Sequence, residues 1–566
     1  MDQKAIYKFC KGLGCCVACC LRYIGIKNPN AYEDPKTFVQ RFYDKIGPDS
    51  NEIKNDCEST SKSEENAIKI NTNTETSNEI KDSSMDGPDS VNITINNLNS
   101  GACSNGGTSP PHKKRKINIC VSCLGILQED NWQHSFEIVK DLLDKKGYEC
   151  TSYACALSAP IATLLREKII TLHIVDEFPQ YDPKVLTPLK EAWKWSYGVK
   201  LGTYVNKTLD SGAISPLLVT VNMDYIDDLQ ELEILKTVSP QLFEERRKQK
   251  RRFVTEFTRP SVEQALENAT LWSLKGAGAR LEEVSAKATC VGVGATHTPL
   301  YLAGRYVKLS RSLPQSPWLL DGQRVLPSSV QEIIFAPLAK LYRWKAADTE
   351  HHLKLISAGR EDVDVRCLGD GRPFAVEITD PIRQLTDAEL KQACDEISSS
   401  GQVIVKQIVP ITREDLVQLK KGEETKSKTY EALCIKLAHS KYDQTDHTGP
   451  VRVTPEDIDR INTYTNTDTD VRISITQKTP IRVLHRRPLL TRTRDILELT
   501  AEIIPDHPQL FLVRVRTSAG TYVKEWVHGE LRRSAPSLRD ILATSTDLLA
   551  LDVVAVHLAW PPAPPT

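Results

Sequence analysis

Apolar residues return every three or four positions through "HSFEIVKDLLDKKGYEC", at Phe136, Ile138, Val139, Leu142 and Leu143, and that spacing predicts an amphipathic helix. Two later runs, "IITLHIVDEF" and "PLLVTVNM", are short, apolar and rich in β-branched residues, and read as strands of the same α/β domain. Farther along, "LTDAELKQACDEI" sets Thr386 three residues ahead of Glu389, a capping box that opens a helix. A strand pattern, "VIVKQIVPI", a short helix, "TREDLVQL", and a further strand, "KTYEALCIKL", imply an α/β or α+β domain with antiparallel additions. "VRVRTSAGTYVKEWVHGEL" passes from an alternating strand through a Gly turn into a helix. "SAGREDVDVRCLG", residues 357 to 369, alternates Val363 and Val365 with charged neighbours, which predicts a half-buried strand.

Between residues 51 and 110 the periodicity stops. The segment holds ten Asp or Glu, four Lys, no aromatic residue and long Ser, Thr and Asn tracts. It cannot bury enough apolar surface to offset its ordering entropy and is predicted to be disordered. "GAGARLEEV", residues 276 to 284, reads as the linker between two ordered halves.

A chain of 566 residues is too long for one core and suggests about three or four domains. The net charge of −1 offers no sign of wholesale nucleic-acid binding, yet local basic patches exist. Lys113 to Lys116 form a cluster like a nuclear import signal, and six basic residues lie between Arg246 and Arg252. Both are also what a solvated charge run looks like. Residues 471 to 566 carry thirteen Lys or Arg against nine Asp or Glu, a locally basic part where RNA or DNA backbone is able to lie. The opening residues lack an apolar signal region and no run is long enough to span a bilayer, so the expectation is an intracellular protein without membrane partners.

In that compartment the fifteen cysteines stay reduced, and paired spacing points to metal rather than disulfides. Cys16 and Cys19 share a two-residue spacing with Cys120 and Cys123, and the two turns together supply the four thiolates of a structural zinc ion. The pairs are far apart in sequence, but loop closure costs only about 0.6 kcal/mol per doubling of length. Cys10, Cys15 and Cys20 are competing thiols, and the bland alternative is a group of small buried residues.

Five charged side chains crowd "GREDVDVR": Arg360, Glu361, Asp362, Asp364 and Arg366. An amphipathic edge strand explains the alternation, but catalysis by Asp362 asks for more. It needs a cation that keeps the carboxylate ionised, an aromatic face for a substrate and a shell that excludes water. Tyr430 in "KTYEAL" and Tyr522 and Lys524 in "AGTYVKEWVHGEL" are suitable parts, though each alone is commonplace.

Taken in order, "GREDVDVRCLGDGRPFAVEI", "KTYEAL" and "AGTYVKEWVHGEL" resemble the three active-site motifs of pseudouridine synthases. With "PLYLAGRYVKLSRSLPQSPWLLDG" upstream and "QKTPIRVLHRR" between them, the chain is similar to the Pus10 family in particular. The resemblance implies an α+β catalytic domain with a mixed, mainly antiparallel central sheet, and an N-terminal α/β, zinc-containing, THUMP-like accessory domain. It divides the chain into 1–50, the first part of the accessory domain; 51–116, the insert; 117–275, the RNA-binding accessory domain; and 276–566, the catalytic domain. It makes Asp362 the nucleophile, Arg360 the base-flipping residue, Tyr430 the stacking tyrosine, Tyr522 a substrate contact and Lys524 the cation paired with the nucleophile. Asp364 is the rival carboxylate if the register slips by two, and otherwise braces Arg366 or another structural partner. The implied substrate is tRNA, at positions 54 and 55 of the T arm, acted on by a monomer in nucleus and cytoplasm with structural zinc and no organic cofactor. The alternative is an RNA-binding scaffold, for example for microRNA precursors and their processing proteins.

Overall fold

The computed structural model describes residues 2–44, 118–212, 214–248, 255–281, 284, 286–443, 447–464 and 472–562. The insert expected at 51–116, with Lys113 to Lys116, lies outside the described residues, as does the second half of the basic run that starts at Arg246. The chain divides into two compact units, Met1–His297 and Thr298–Thr566.

In the first unit, β1 (Ser152–Ser158), β2 (Thr208–Leu209), β3 (Leu217–Asp224) and β4 (Thr289–His297) form a mixed sheet in the order β2-β1-β3-β4. Pairing of β4 with β3 is why this unit ends at His297 and not near the expected boundary of 276. The helix Gln133–Lys146 buries Phe136, Val139, Leu142 and Leu143, and ends where Gly147 turns left-handed with φ of 70°. "IITLHIVDEF" is not a strand: Ala162–Glu177 is a helix. Leu165, Ile169, Ile170 and Ile174 return at helical spacing and are all buried, and that burial outweighs the β preference of their branched side chains.

The second unit is built on a ten-stranded sheet. Its strands are β5 (Leu300–Lys308), β8 (Leu353–Ser357), β9 (Arg366–Ile378), β10 (Val403–Ile411), β11 (Lys428–Lys436), β12 (Ile473–Lys478), β13 (Thr491–Ile503), β14 (Leu510–Thr517), β15 (Ser534–Ala535) and β16 (Thr546–Val556). The short strands β6 (Leu319–Leu320) and β7 (Gln323–Arg324) pair only with each other. The main order is β10-β5-β9-β16-β11-β14-β13-β12-β15, with β8 also on β9. All of these pairings are antiparallel except β9 with β16. A mixed, mainly antiparallel α+β sheet is therefore present. Thr386 accepts from the Glu389 N–H at 3.3 Å while Glu389 accepts from the Thr386 N–H at 2.9 Å, so the capping box forms and opens the helix Asp387–Ser399.

The stretch 357–369 departs from its predicted strand. β8 stops at Ser357, β9 starts at Arg366, and residues 358–365 are a loop. Gly359 bends it with φ of 83°, a left-handed conformation that side chains oppose. Carbonyls that a strand would commit to its ladder accept from side chains instead. Arg372 donates to Ala358, Gln315 to Gly359, Lys308 to Asp362 and Val363, and Arg311 to Asp364. Lys308 is fully buried, and loss of water pushes its pKa down against the nearby carboxylates. Val365 is buried among the residues beneath the sheet, whereas Val363 is only half-buried.

Candidate functional site

The loop exposes some of its charges and buries others. Glu361 is buried and pairs with the equally buried Arg372 at 2.6 Å, while the Tyr306 hydroxyl donates to it at 2.8 Å. With Glu361 locked inward and the carbonyls of Asp362 and Val363 held by Lys308, the Asp362 side chain projects where a third of it remains accessible.

Two cations converge on Asp362, from elements distant in sequence. Arg482, in the turn after β12, lies 2.9 Å from Oδ2, and Lys524 lies 3.4 Å from the same oxygen. Lys524 stands on the short helix Val523–His528. That helix is anchored by Gln477 of β12, whose side chain donates to the Tyr522 carbonyl and accepts from the Tyr522 N–H, both at 3.0 Å. Lys524 is closer to Asp364, donating to its two oxygens at 2.8 and 2.7 Å. Partial burial works against ionisation of Asp364, but the Lys524 hydrogen bond and charge outweigh it and hold its pKa below the ordinary value. Arg366 pairs with Asp552 of β16 at 3.0 Å, so of the two partners open to Asp364 it is the other one, Lys524, and not Arg366, that it braces.

Tyr430, on β11, is half-buried against the same core as Val365. Burial, with a further contribution from the Asp362 charge, pushes its phenol up to about 12, so it stays a neutral ring. Arg360 is exposed, two residues ahead of Asp362, and Tyr522 is half-buried at the start of its helix. The structure thus brings Asp362, Tyr430 and Lys524 to one region and adds Arg482 and Glu525, which sequence reasoning missed. Arg482 lies in "QKTPIRVLHRR" with Lys478, Arg486 and Arg487, and no spacing rule tells which of them turns toward an aspartate so far upstream.

The four paired cysteines meet in the first unit. The sulfurs of Cys16, Cys19, Cys120 and Cys123 all lie within 4.8 Å of one another, and those of Cys16 and Cys123 are 3.8 Å apart. A tetrahedral ion with bonds of about 2.3 Å to sulfur sets its ligands about 3.8 Å apart. The Cys16 N–H donates to the Cys120 sulfur at 3.1 Å and the Leu127 N–H to the Cys123 sulfur at 3.5 Å, contacts that favour thiolates. Cys10, Cys15 and Cys20 are buried but stand outside this group. The donor set is compatible with a structural metal and leaves no open position. Of the basic run, Arg246 donates to the Glu256 carbonyl at 3.1 Å and Arg247 lies 3.7 Å from the Glu256 carboxylate, so both engage the protein itself.

A carboxylate between two cations, on a loop joining two strands of a mixed sheet, with a half-buried tyrosine within reach of its charge and with the three motifs in order, belongs to a defined class. The protein is a pseudouridine synthase, an isomerase. Residues 301–557 match the family described as "Pus10, C-terminal", and residues 120–275 match "Eukaryotic Pus10, N-terminal". The chain belongs to the Pus10 family. It is 33% identical over 457 residues to the tRNA pseudouridine synthase Pus10 of Xenopus laevis, covering 79% of this chain and 81% of that one. Against the Homo sapiens protein of that name it is 32% identical over 462 residues, covering 80% and 81%. The archaeal namesake of Thermofilum pendens aligns over 263 residues at 32% identity, covering 46% of this chain and 53% of its own. Among solved structures, a Cbf5-Nop10-Gar1 complex aligns over 44% of this chain and 48% of the matched chain at 15% identity, with a TM-score of 0.22. Among the described residues no helix is long and apolar enough to cross a membrane.

Proposed function

We propose that the protein converts uridine to pseudouridine in tRNA, at one or both of the adjacent T-arm uridines, with Asp362 as the nucleophile. The observation that carries this reading is the position of Asp362: on a braced loop, with one oxygen between Arg482 and Lys524, near Tyr430. A uridine inside folded RNA hides its reactive atoms and must leave its stack, at a cost of a few kcal/mol. Stacking on an aromatic ring returns roughly 1–3 kcal/mol, and Tyr430 is the ring for it. Exposed Arg360 enters the space that the base vacates, and Tyr522 packs against the substrate. In the reaction the N1–C1′ bond breaks and a C5–C1′ bond forms, while C5 loses a proton and N1 gains one. Nothing is oxidised or reduced, so no organic cofactor takes part.

The tRNA specificity follows the names of the relatives. The first unit acts as a THUMP-like RNA-binding module, and its four sulfurs hold zinc. The test is to incubate the wild-type protein and Asp362→Asn with an unmodified tRNA transcript and map pseudouridine by carbodiimide-blocked primer extension. Modification by the wild type alone supports the reading. Binding of the transcript without modification returns the protein to the scaffold alternative, and modification by the Asn variant removes Asp362 from its role.

A further inference from the structure

We infer that Arg482 and Glu525 form a positioning pair that aims the Asp362 carboxylate, directing Oδ1 rather than Oδ2 at the uridine. This rests on Asp362 being the nucleophile. Glu525 sits on the helix that also carries Lys524, is only 3% exposed, and accepts from Arg482 Nε at 2.6 Å. The opposite edge of the same guanidinium presents Nη1 to Asp362 Oδ2 at 2.9 Å. A guanidinium is planar and rigid, so fixing Nε fixes where Nη1 points. Lys524 cannot do this alone, because its ammonium is a point charge that sits nearer to Asp364 than to Asp362. Both cations meet Oδ2, which leaves Oδ1 for the bond to substrate.

A buried carboxylate costs several kcal/mol unless it is paired, so Glu525 is tied to Arg482 as strongly as Arg482 is to it. Desolvation of Arg482 opposes its charge, but the hydrogen bond and charge of Glu525, followed by Asp362 and Asp364, more than offset it and raise its pKa. One short helix therefore supplies one cation of the site directly and orients the other. The competing explanation is a plain brace between the β12–β13 connection and that helix. A brace would affect folding but not the rate of the folded enzyme.

The experiment measures single-turnover pseudouridine formation on a saturating tRNA transcript, with transcript affinity by filter binding and the melting midpoint alongside. Glu525→Ala is expected to slow the step about 100-fold, the size of effect that a misplaced reacting group produces, with affinity unchanged. Glu525→Gln, which keeps an oxygen for Nε, is expected to stay within a few-fold of wild type. Arg482→Ala and the double variant Arg482→Ala/Glu525→Ala are expected to be equally slow, because the pair acts as one unit. If Glu525→Ala does not fold, Arg482→Lys carries the test, since it keeps the charge but loses the second nitrogen and is expected to slow the step at least tenfold. Wild-type rates in Glu525→Ala, Arg482→Ala or Arg482→Lys, or losses that multiply in the double variant, would overturn the pair. Asp362→Asn runs in parallel: if it retains activity the nucleophile is misassigned, whereas an inactive Asp362→Asn beside a fast Glu525→Ala removes the positioning pair alone.

Discussion

Asp362 and Asp364 stand two residues apart and share Lys524, so their roles are separable only by the rest of their surroundings. Asp362 has Arg482 as a second and nearer cation, while Asp364 takes the shorter contact from Lys524. Asp364→Asn frees the ammonium for Asp362 and is expected to keep single-turnover rates within about tenfold of wild type, whereas Asp362→Asn abolishes product. Glu361 has a different task. Its partner Arg372 is 1% exposed, and removing the carboxylate strands a buried guanidinium. Glu361→Gln is expected to cost about 3–5 kcal/mol, read from denaturant unfolding, through stability rather than chemistry. Sequence spacing showed five charges in one stretch; it could not divide them, because burial depends on which way a loop turns.

The loop that carries Asp362 exists because β8 and β9 stop short of each other and their neighbours satisfy the gap. Four side chains, Lys308, Arg311, Gln315 and Arg372, replace the hydrogen bonds that a continuous strand would have made. The periodic pattern of Val363 and Val365 looked like a strand because alternation reports local spacing and says nothing of distant donors. The same limit produced the strand expected over "IITLHIVDEF", where a helix forms. Capping chemistry is shorter in range, which is why Thr386 and Glu389 were legible directly. Where β9 meets β16, the sheet's parallel junction is secured by Asp552, which takes Arg366 and also Arg311 at 2.7 Å. Burial disfavours its charge, but those arginines outweigh it and lower its pKa in the folded protein. A lowered folded value means the stabilisation is complete above the unfolded pKa of about 4 and is lost as pH falls through the folded one. Acid unfolding is therefore expected to be blunted below about pH 4 in Asp552→Asn relative to wild type, although that variant is less stable at pH 7 by about 1–3 kcal/mol.

At the scale of the whole chain, the cysteine cluster joins segments on either side of residues 45–117. A metal held by all four sulfurs couples folding of the first unit to binding, as in structural zinc modules. Cys16→Ser and Cys120→Ser are each expected to lose the bound metal by elemental analysis and to lower the melting midpoint. Unchanged stoichiometry would remove the four-cysteine site.

Sequence alone determined the paired cysteine spacing, the order of the three motifs, the capping box, the strands β10 and β11 and the alternating strand β14, because each depends on neighbours within a few positions. Only the tertiary structure decided that residues 358–365 are a loop, that Glu361 faces inward, and that Arg482 and Lys524 share one oxygen of Asp362. Those outcomes depend on donors and acceptors brought together across the sheet, where a buried charge must find its partner whatever their distance along the chain.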